Sequence, residues 1–396
     1  MTDQNDWLLV MLLGGRYQAS MMLAMELRPR AVVCVASEDS VGVSTEVNAL
    51  LRQLLPATQR GATHSTPPYD VNAALTAIRQ ARAAYPRLRP CISVTGAPVP
   101  MAVAGYQAAR EWGCPAWYVN TRDGQVIDLA APERSRRLQA RLSVSDFLRL
   151  YNVQESPNAR YSEVRAVPAA WLTVAHQLGT GGQPASDLLA WLRRDGLEAR
   201  NYRKQWPDQF GAPHRALLGV LVQQHMLYDV RFSPAGRFVS YRVPDEQVAA
   251  FLRGGWLENY VWVTAEQLRQ SGEAFDACQR GLLVRLGEAE REIDLIAVGR
   301  GLALVASCKA TRRPWDKSYL DEVAAVANLL GGNYCVRLFI TDQPQPVSEP
   351  GMPDRFQQFV EQARRLRVVL VAAHNLAQLA EVFKREMSSS PTYARL

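Results

Sequence analysis

Glu258, Asp294, Ser307 and Lys309 are the residues whose types and order suit metal-dependent phosphodiester cleavage. They lie in one stretch, Phe251 to Thr311. Phe-Leu-Arg-Gly-Gly-Trp-Leu-Glu-Asn-Tyr-Val carries Glu258. After a spacer, Arg-Glu-Ile-Asp-Leu-Ile-Ala-Val carries Asp294, and Leu-Ala-Leu-Val-Ala-Ser-Cys-Lys ends in Lys309. Carboxylates gathered at a strand mouth hold Mg²⁺ or Mn²⁺, which prefer oxygen ligands. Such an ion lowers the pKa of a bound water and offsets charge at the phosphate, while a nearby ammonium orients the nucleophile. An isolated Asp and Lys near strand ends are ordinary surface residues; the ordered set carries the reading.

The elements that must position these groups are legible as patterns. The Phe251 stretch reads as a helix ending in an aromatic-rich turn. The two apolar runs parted by Gly299-Arg300-Gly301 read as a β-hairpin, with Asp294 early in one strand and Lys309 late in the other. This arrangement resembles the PD-(D/E)xK nuclease core, with Glu258, Asp294 and Lys309 at the positions of helix acid, strand acid and lysine. That core usually has a second acid two residues before the lysine, where this chain has Ser307. The resemblance implies Glu258 and Asp294 as metal ligands, joined by the Ser307 hydroxyl or the Cys308 backbone carbonyl, or another acid such as Glu292 or Glu322 in substitution.

A chain of 396 residues is long enough for two or three domains, each with its own core. No apolar run approaches a membrane span, and Met-Thr-Asp-Gln-Asn-Asp at the start is no signal peptide, so no membrane contact and a cytoplasmic location are expected. The six cysteines are scattered without a Cys-x-x-Cys pair, and the five histidines are equally dispersed, which argues against disulfides or a zinc site. A formal net charge of +7 suits a polyanionic partner, DNA or RNA among them.

Toward the N-terminus, strands are expected at Trp7 to Leu13, Ala31 to Ala36, Cys91 to Thr95 and Ala116 to Asn120. Helices are expected over Tyr17 to Leu27, Ser44 to Leu55, Val71 to Tyr85 and Met101 to Trp112. Their alternation implies a parallel sheet covered on both faces, with ligands outside the carboxyl ends of the strands. The loops there are Gly14-Gly15-Arg16-Tyr17-Gln18, Ser37-Glu38-Asp39-Ser40 and Thr95-Gly96-Ala97-Pro98-Val99-Pro100-Met101. Glycines let the backbone approach a phosphate, and the following helix N-terminus favours negative charge. The Gly-x-Gly-x-x-Gly fingerprint of NAD enzymes is absent.

These loops resemble the CARF domain, the CRISPR-associated Rossmann-fold sensor of cyclic oligoadenylates. The likeness rests on Leu-Leu-Gly-Gly-Arg-Tyr-Gln, on Ser-Val-Thr-Gly-Ala-Pro-Val-Pro-Met-Ala-Val-Ala-Gly-Tyr-Gln-Ala-Ala, and on Ala-Trp-Tyr-Val-Asn-Thr-Arg-Asp-Gly-Gln-Val-Ile. Where the family has Thr-Gly-Gly-Thr-Lys, this chain has Thr95-Gly96-Ala97-Pro98-Val99. By this resemblance Gly14, Gly15, Arg16, Tyr17, Gln18, Ser37, Thr95, Gly96, Ala97, Pro98 and Met101 form the ligand pocket.

The expected organisation is a CARF domain over 1–128, a connector with helices of its own over 129–210, and a PD-(D/E)xK domain over 211–396. Within the connector, Gly179-Thr180-Gly181-Gly182-Gln183-Pro184 reads as a breaker before a helix, Ser186 to Arg194, and Arg193, Arg194, Arg200, Arg203 and Lys204 read as a solvated face more readily than as a nucleic-acid contact. Downstream are expected a helix at His214 to Met226 and a hairpin of Tyr228 to Phe232 with Phe238 to Val243. The basic loop Thr311 to Lys317, with Trp315 exposed for stacking on a base, precedes a βαβαβα remainder and a loose tail from Ser388.

Together the halves resemble the CARF-nuclease family of CRISPR ancillary effectors. That implies a homodimer, a cyclic oligoadenylate activator, foremost cyclic tetra-adenylate, and a Mn²⁺- or Mg²⁺-dependent endonuclease acting on DNA or RNA. Two other readings stay open: a sensor whose nuclease is silenced and only binds nucleic acid, and a transcription regulator using His214 to Val243 as a winged helix.

Overall fold

The structure is a computed structural model that describes residues 6–121, 124–156, 167–286, 289–311, 313–332, 335–345 and 355–388. Outside them lie Arg122 and Asp123 of the third CARF-like motif, Arg312 of the basic loop, Tyr334 and Asp354, from which a strand to Thr341 and a helix to Leu366 are expected, and residues 389 to 396 of the tail. The chain divides into two compact units, Met1–Asn152 with Val298–Leu302, and Val153–Ala297 with Ala303–Leu396.

The first unit runs β1 (Trp7–Leu13), α1 (Gln18–Leu27), β2 (Ala31–Ser37), α2 (Val41–Leu54), β3 (Gln59–Arg60), β4 (His64–Thr66), α3 (Val71–Ala83), β5 (Arg89–Ser93), α4 (Val99–Trp112), β6 (Ala116–Asn120), β7 (Gln125–Asp128), β8 (Arg136–Arg137) and α5 (Val144–Leu150). Its sheet has the order β3-β2-β1-β5-β6-β7-β8, with β4 also on β2. The pairs from β3 to β6 are parallel, and β7 and β8 add antiparallel. Leu8 through Leu13 are all buried, as a central strand covered on both faces requires. Strand order reverses at β1, between β2 and β5, so the loops after β1 and β5 open at the switch point.

Those two loops are built against each other. A Cβ on Gly14 would lie 2.4 Å from the Gly96 carbonyl oxygen, and one on Gly96 would lie 2.0 Å from that of Arg16. Gly96 also has φ +82°, a conformation that disfavours side chains. Gly96→Ala should therefore destabilise the unit by about 2 kcal/mol or more, read as a lower urea midpoint at unchanged m-value.

The second unit comprises β9 (Gln154–Glu155), α6 (Ala169–Thr180), α7 (Gly182–Arg193), β10 (Asn201–Gln205), α8 (Ala212–Gln223), β11 (Tyr228–Phe232), β12 (Phe238–Arg242), α9 (Glu246–Ala250), α10 (Trp256–Gln270), β13 (Ala277–Leu286), β14 (Ala289–Gly299) and β15 (Leu302–Lys309) except for their ends at Val298–Leu302, α11 (Lys317–Leu329), β16 (Cys335–Thr341), α12 (Arg355–Leu366), β17 (Val368–Val371) and α13 (Leu379–Ser388). Its main sheet has the order β17-β16-β15-β14-β13-β9, with β15, β16 and β17 parallel. A smaller antiparallel sheet has the order β10-β12-β11.

Several local expectations need correction. The glycine-rich stretch read as a breaker is a junction at Gly181: α7 starts at Gly182 with Pro184 in its first turn, where the missing N–H is harmless. Gly179 is still helical and lies under the Tyr260 ring, which a Cβ would approach to 2.4 Å. The spacer before Asp294 contains β13. Trp315 is half-buried, its ring against Phe356 (4.9 Å) and Phe359 (5.5 Å), so it anchors α11 to α12. Of the five basic residues read as one solvated face, Arg194, Arg200 and Arg203 are exposed. Lys204 is buried, donating to the Trp191 and Leu192 carbonyls at the end of α7, and Arg193 pairs with buried Asp342 at 2.6 Å. A cation at a helix C-terminus satisfies carbonyls that have no helical partner.

Candidate active site

Glu258 does not end a helix, as the Gly-Gly-Trp pattern suggested, but begins one. Phe251–Gly255, with its two glycines, forms a wide π turn between α9 and α10, and Glu258 sits in the first turn of α10. Such turns re-aim the side chains that follow. Trp256, Leu257, Tyr260 and Val261 are buried around it, and the Tyr260 hydroxyl donates to the Leu376 carbonyl at 2.7 Å, so the helix is tied down on both sides of the acid.

The hairpin supplies the other groups. Arg300 (φ 53°) and Gly301 (φ 77°) join β14 to β15 with two consecutive positive φ angles, the geometry of a tight hairpin turn. Asp294 lies mid-strand rather than early in β14, because the strand begins at Ala289. Lys309 is the last residue of β15, as expected. Alternation puts Glu292 and Asp294 on one face of β14, and Ser307 and Lys309 on one face of β15.

Asp294 Oδ2 accepts the Cys308 backbone N–H at 2.6 Å and lies 3.9 Å from Lys309 Nζ. Burial pushes the Asp294 carboxyl above its usual range, against the opposing pull of Lys309, of the Cys308 N–H and of a hydrogen bond from Ser307. Glu258 is driven further, up to about 7, by burial first and then by the charges of Asp294 and Glu292; Lys309 and Arg280 work the other way. Glu258, Asp294, Ser307 and Lys309 are thus brought within mutual electrostatic reach. A cleft of ≈ 240 Å³ opens beside them, lined by Glu290, Glu292, Asp294, Ser307, Lys309 and Glu322 among others. The two acids named as possible substitutes, Glu292 and Glu322, both face it.

Among the described residues, no three His, Cys, Asp or Glu side chains are grouped so as to hold a metal ion. The donor set is two carboxylates, a hydroxyl and the Cys308 carbonyl. All are hard oxygens, and Mg²⁺ is commonly held by one or two carboxylates while keeping several waters. Burial raises Glu258 first and the charges of Asp294 and Glu292 add to it; a dication would offset that second part, so the residues fit Mg²⁺ or Mn²⁺.

Arg280 was missed from sequence. It projects from β13, its guanidinium 5.4 Å from the Trp262 ring centroid and hydrogen-bonded to Asn259, next to Glu258 in the chain. Burial lowers its pKa and the Glu258 charge raises it. Its signal was the alternation of Cys278 to Leu286, hidden when that segment was read as a spacer.

In the first unit, Tyr17, Ser37, Thr95 and Met101 are buried. The Tyr17 hydroxyl donates to the Leu150 carbonyl at 3.0 Å, and its pKa is pushed up to about 12 by burial and then by Glu46. Ser37 Oγ donates to Ser40 Oγ, and Thr95 Oγ1 accepts the Val119 N–H at 2.7 Å. These side chains shape the loops from inside. Gly15, Arg16 and Gly96 are exposed at the switch point, Gln18, Ala97 and Pro98 are half-buried, and Gly14 is buried.

The mixed α/β architecture is as expected, with a Rossmann-like, mostly parallel sheet in the first unit and a second α/β unit after it. The fold matches protein VC1899 from Vibrio cholerae with a TM-score of 0.68 at 15% identity, over 97% of this chain and 99% of that one. It matches Can2 from Sulfobacillus thermosulfidooxidans, in complex with cyclic tetra-adenylate, with a TM-score of 0.68 at 15% identity, over 96% and 97%. The sequence matches no protein-family model and no curated protein at a significant level. Among the described residues no helix is long and apolar enough to cross a membrane.

Proposed function

We propose that this protein is a CRISPR type III ancillary effector: a metal-dependent nuclease cleaving DNA or RNA, switched on by a cyclic oligoadenylate, foremost cyclic tetra-adenylate, bound by two N-terminal domains of a homodimer. The observation that carries this reading is the convergence of Glu258, Asp294 and Lys309 at one hairpin, in a chain whose fold follows, nearly end to end, that of a protein holding cyclic tetra-adenylate.

Asp294, which lines the cleft, and Glu258, which does not, would hold the cation, with the Ser307 hydroxyl and the Cys308 carbonyl as neutral donors. Bound Mg²⁺ or Mn²⁺ would supply Lewis acidity at the phosphate. Lys309 offers an ammonium to the phosphoryl oxygens, where charge builds as the P–O bond to the leaving group breaks. In the first unit, the exposed backbone of Gly15 and Gly96 and the Arg16 side chain offer donors to the activator's phosphates, at the N-terminal ends of α1 and α4. A second copy would cover Val99, Val103 and Tyr106, which form one stripe on α4 and are 76%, 50% and 39% exposed. The activator then acts by favouring the cutting arrangement of the dimer over the resting one.

Ser307 at the place of an acid favours a second reading, a sensor that binds nucleic acid without cutting it. Both are tested by incubating the protein with Mn²⁺ or Mg²⁺ and labelled plasmid, single-stranded DNA and RNA, with and without cyclic tetra-adenylate, beside an Asp294→Ala plus Lys309→Ala variant. Cleavage that needs both activator and metal and is lost in the variant is the expected result. Activator binding without cleavage of any substrate would leave the sensor.

A further inference from the structure

The small sheet of the second unit has two unlike faces. β10 alternates cleanly, with Tyr202 and Lys204 buried and Asn201, Arg203 and Gln205 exposed. On the inner face, Tyr202 stacks on Tyr241 at 5.1 Å and Tyr241 lies 5.6 Å from Trp191, so the sheet is pinned to α7 by aromatic rings. The register fixes the outer face: Arg203 is opposite Ser240, and Ser240 is opposite Arg231, so one row across the three strands reads Arg-Ser-Arg. Beside it, Phe238 is opposite Gln205 and 41% exposed, with the Arg203 guanidinium 5.4 Å from its ring centroid. Arg242 pairs with Asp229. Neither Arg203 nor Arg231 has a carboxylate within ion-pair distance among the described residues.

We propose that this outer face binds single-stranded nucleic acid. A sheet face that offers uncompensated guanidinium groups between polar side chains, with an exposed ring at its edge, matches a chain of phosphates whose bases are free to stack. In a duplex the base faces are stacked on one another and give Phe238 no partner, so single strands are favoured. A protein partner is disfavoured because the two large exposed apolar side chains here, Phe238 at 41% and Phe232 at 37%, each lie under an arginine guanidinium and form no bare apolar patch. The proposal is independent of whether the cleft cuts: the face would hold a strand in either a nuclease or a silenced sensor.

The test is fluorescence anisotropy of labelled 20-mers of oligothymidylate and oligouridylate, and of a 20-bp duplex, in EDTA over a salt series. Arg203→Glu plus Arg231→Glu should weaken single-strand binding at least tenfold and flatten its salt dependence by about 1.4 in log–log slope, about 0.7 per lost phosphate contact. Phe238→Ala should weaken it about fivefold or more. Arg364→Glu plus Arg365→Glu on α12 should leave it unchanged. On the wild-type protein, adding the strand should slow amide exchange in β10 and β12, a readout that does not depend on a variant folding. Binding within twofold of wild type in the double charge reversal, unaltered exchange in both strands, or a tenfold preference for duplex would each overturn the proposal.

Discussion

Asp294→Asn should lower kcat for phosphodiester cleavage by about a thousandfold or more while leaving KM within a few-fold. The change keeps the shape of the side chain, and an amide oxygen can still accept the Cys308 N–H now held at 2.6 Å, so β14 and β15 stay in register. What disappears is the negative charge that faces Lys309 at 3.9 Å and would hold the cation. A charge that acts only as the phosphate rearranges is read in kcat rather than in KM. Removing a single preorganised electrostatic contact in an enzyme site costs a hundred- to thousandfold in typical cases, and loss of a metal ligand lies at the upper end of that range. The measurement is single-turnover cleavage with saturating activator and Mn²⁺. A loss of less than tenfold would remove Asp294 from the chemistry and put Glu292 or Glu322, which line the same cleft, in its place.

Glu258→Gln should make the metal-free protein more stable at pH 8 and scarcely change it at pH 4. The Glu258 carboxyl goes from an ordinary 4.5 to about 7 on folding, chiefly through burial and then through Asp294 and Glu292. An acid whose pKa rises on folding binds more protons in the folded state than in the unfolded one. Stability therefore falls as pH rises between about 4.5 and about 7, and levels off above. At about 1.4 kcal/mol per pH unit over that window, the penalty at pH 8 is on the order of 3 kcal/mol. Gln carries no charge at any pH and avoids it. In EDTA, thermal unfolding should show the variant melting about 4–10 °C above the wild-type protein at pH 8, with the gap closing toward pH 4. Adding Mn²⁺ at pH 8 should raise the wild-type melting temperature and not that of the variant. A gap of constant size across the pH range would mean that the charge of Glu258 is not what destabilises this helix turn.

Much of the architecture could be read from the residues, because most elements follow one strong period. Trp7–Leu13 is an unbroken apolar run and Cys335–Thr341 an apolar run interrupted only by Arg337, and both are buried strands. Arg355–Leu366 alternates at helical spacing and is a helix. The reading failed where local propensity and tertiary demand diverge. Gly254-Gly255 looks like a helix end, but the helix continues through a π turn because Trp256, Leu257 and Tyr260 are drawn into the core. Gly179 looks like a breaker and is instead a space for the Tyr260 ring. Lys204 looks like a surface charge because nothing in its neighbours reveals that the carbonyls of α7 await it. At the candidate site, the acids and the lysine were singled out by type and order. Arg280 was not, since its importance lies in how close β13 brings it to α10 in space.

The hairpin that carries Asp294 and Lys309 also sets when this part of the molecule can take shape. The hydrogen bond between Asp294 and the Cys308 amide closes a loop of only 14 positions, across a turn of two residues. Hairpins of this kind form in about 1–10 μs, far faster than a ribosome adds the next residue at about 5–20 per second. The Asp–Lys pair can thus be in register as soon as both strands have emerged, before β16 and β17 exist to complete the sheet. Glu258, made earlier still, waits in an unburied helix turn with the proton affinity of a free carboxylic acid, and takes on its altered acidity only when β13 packs against α10 and the hairpin brings Asp294 and Glu292 near.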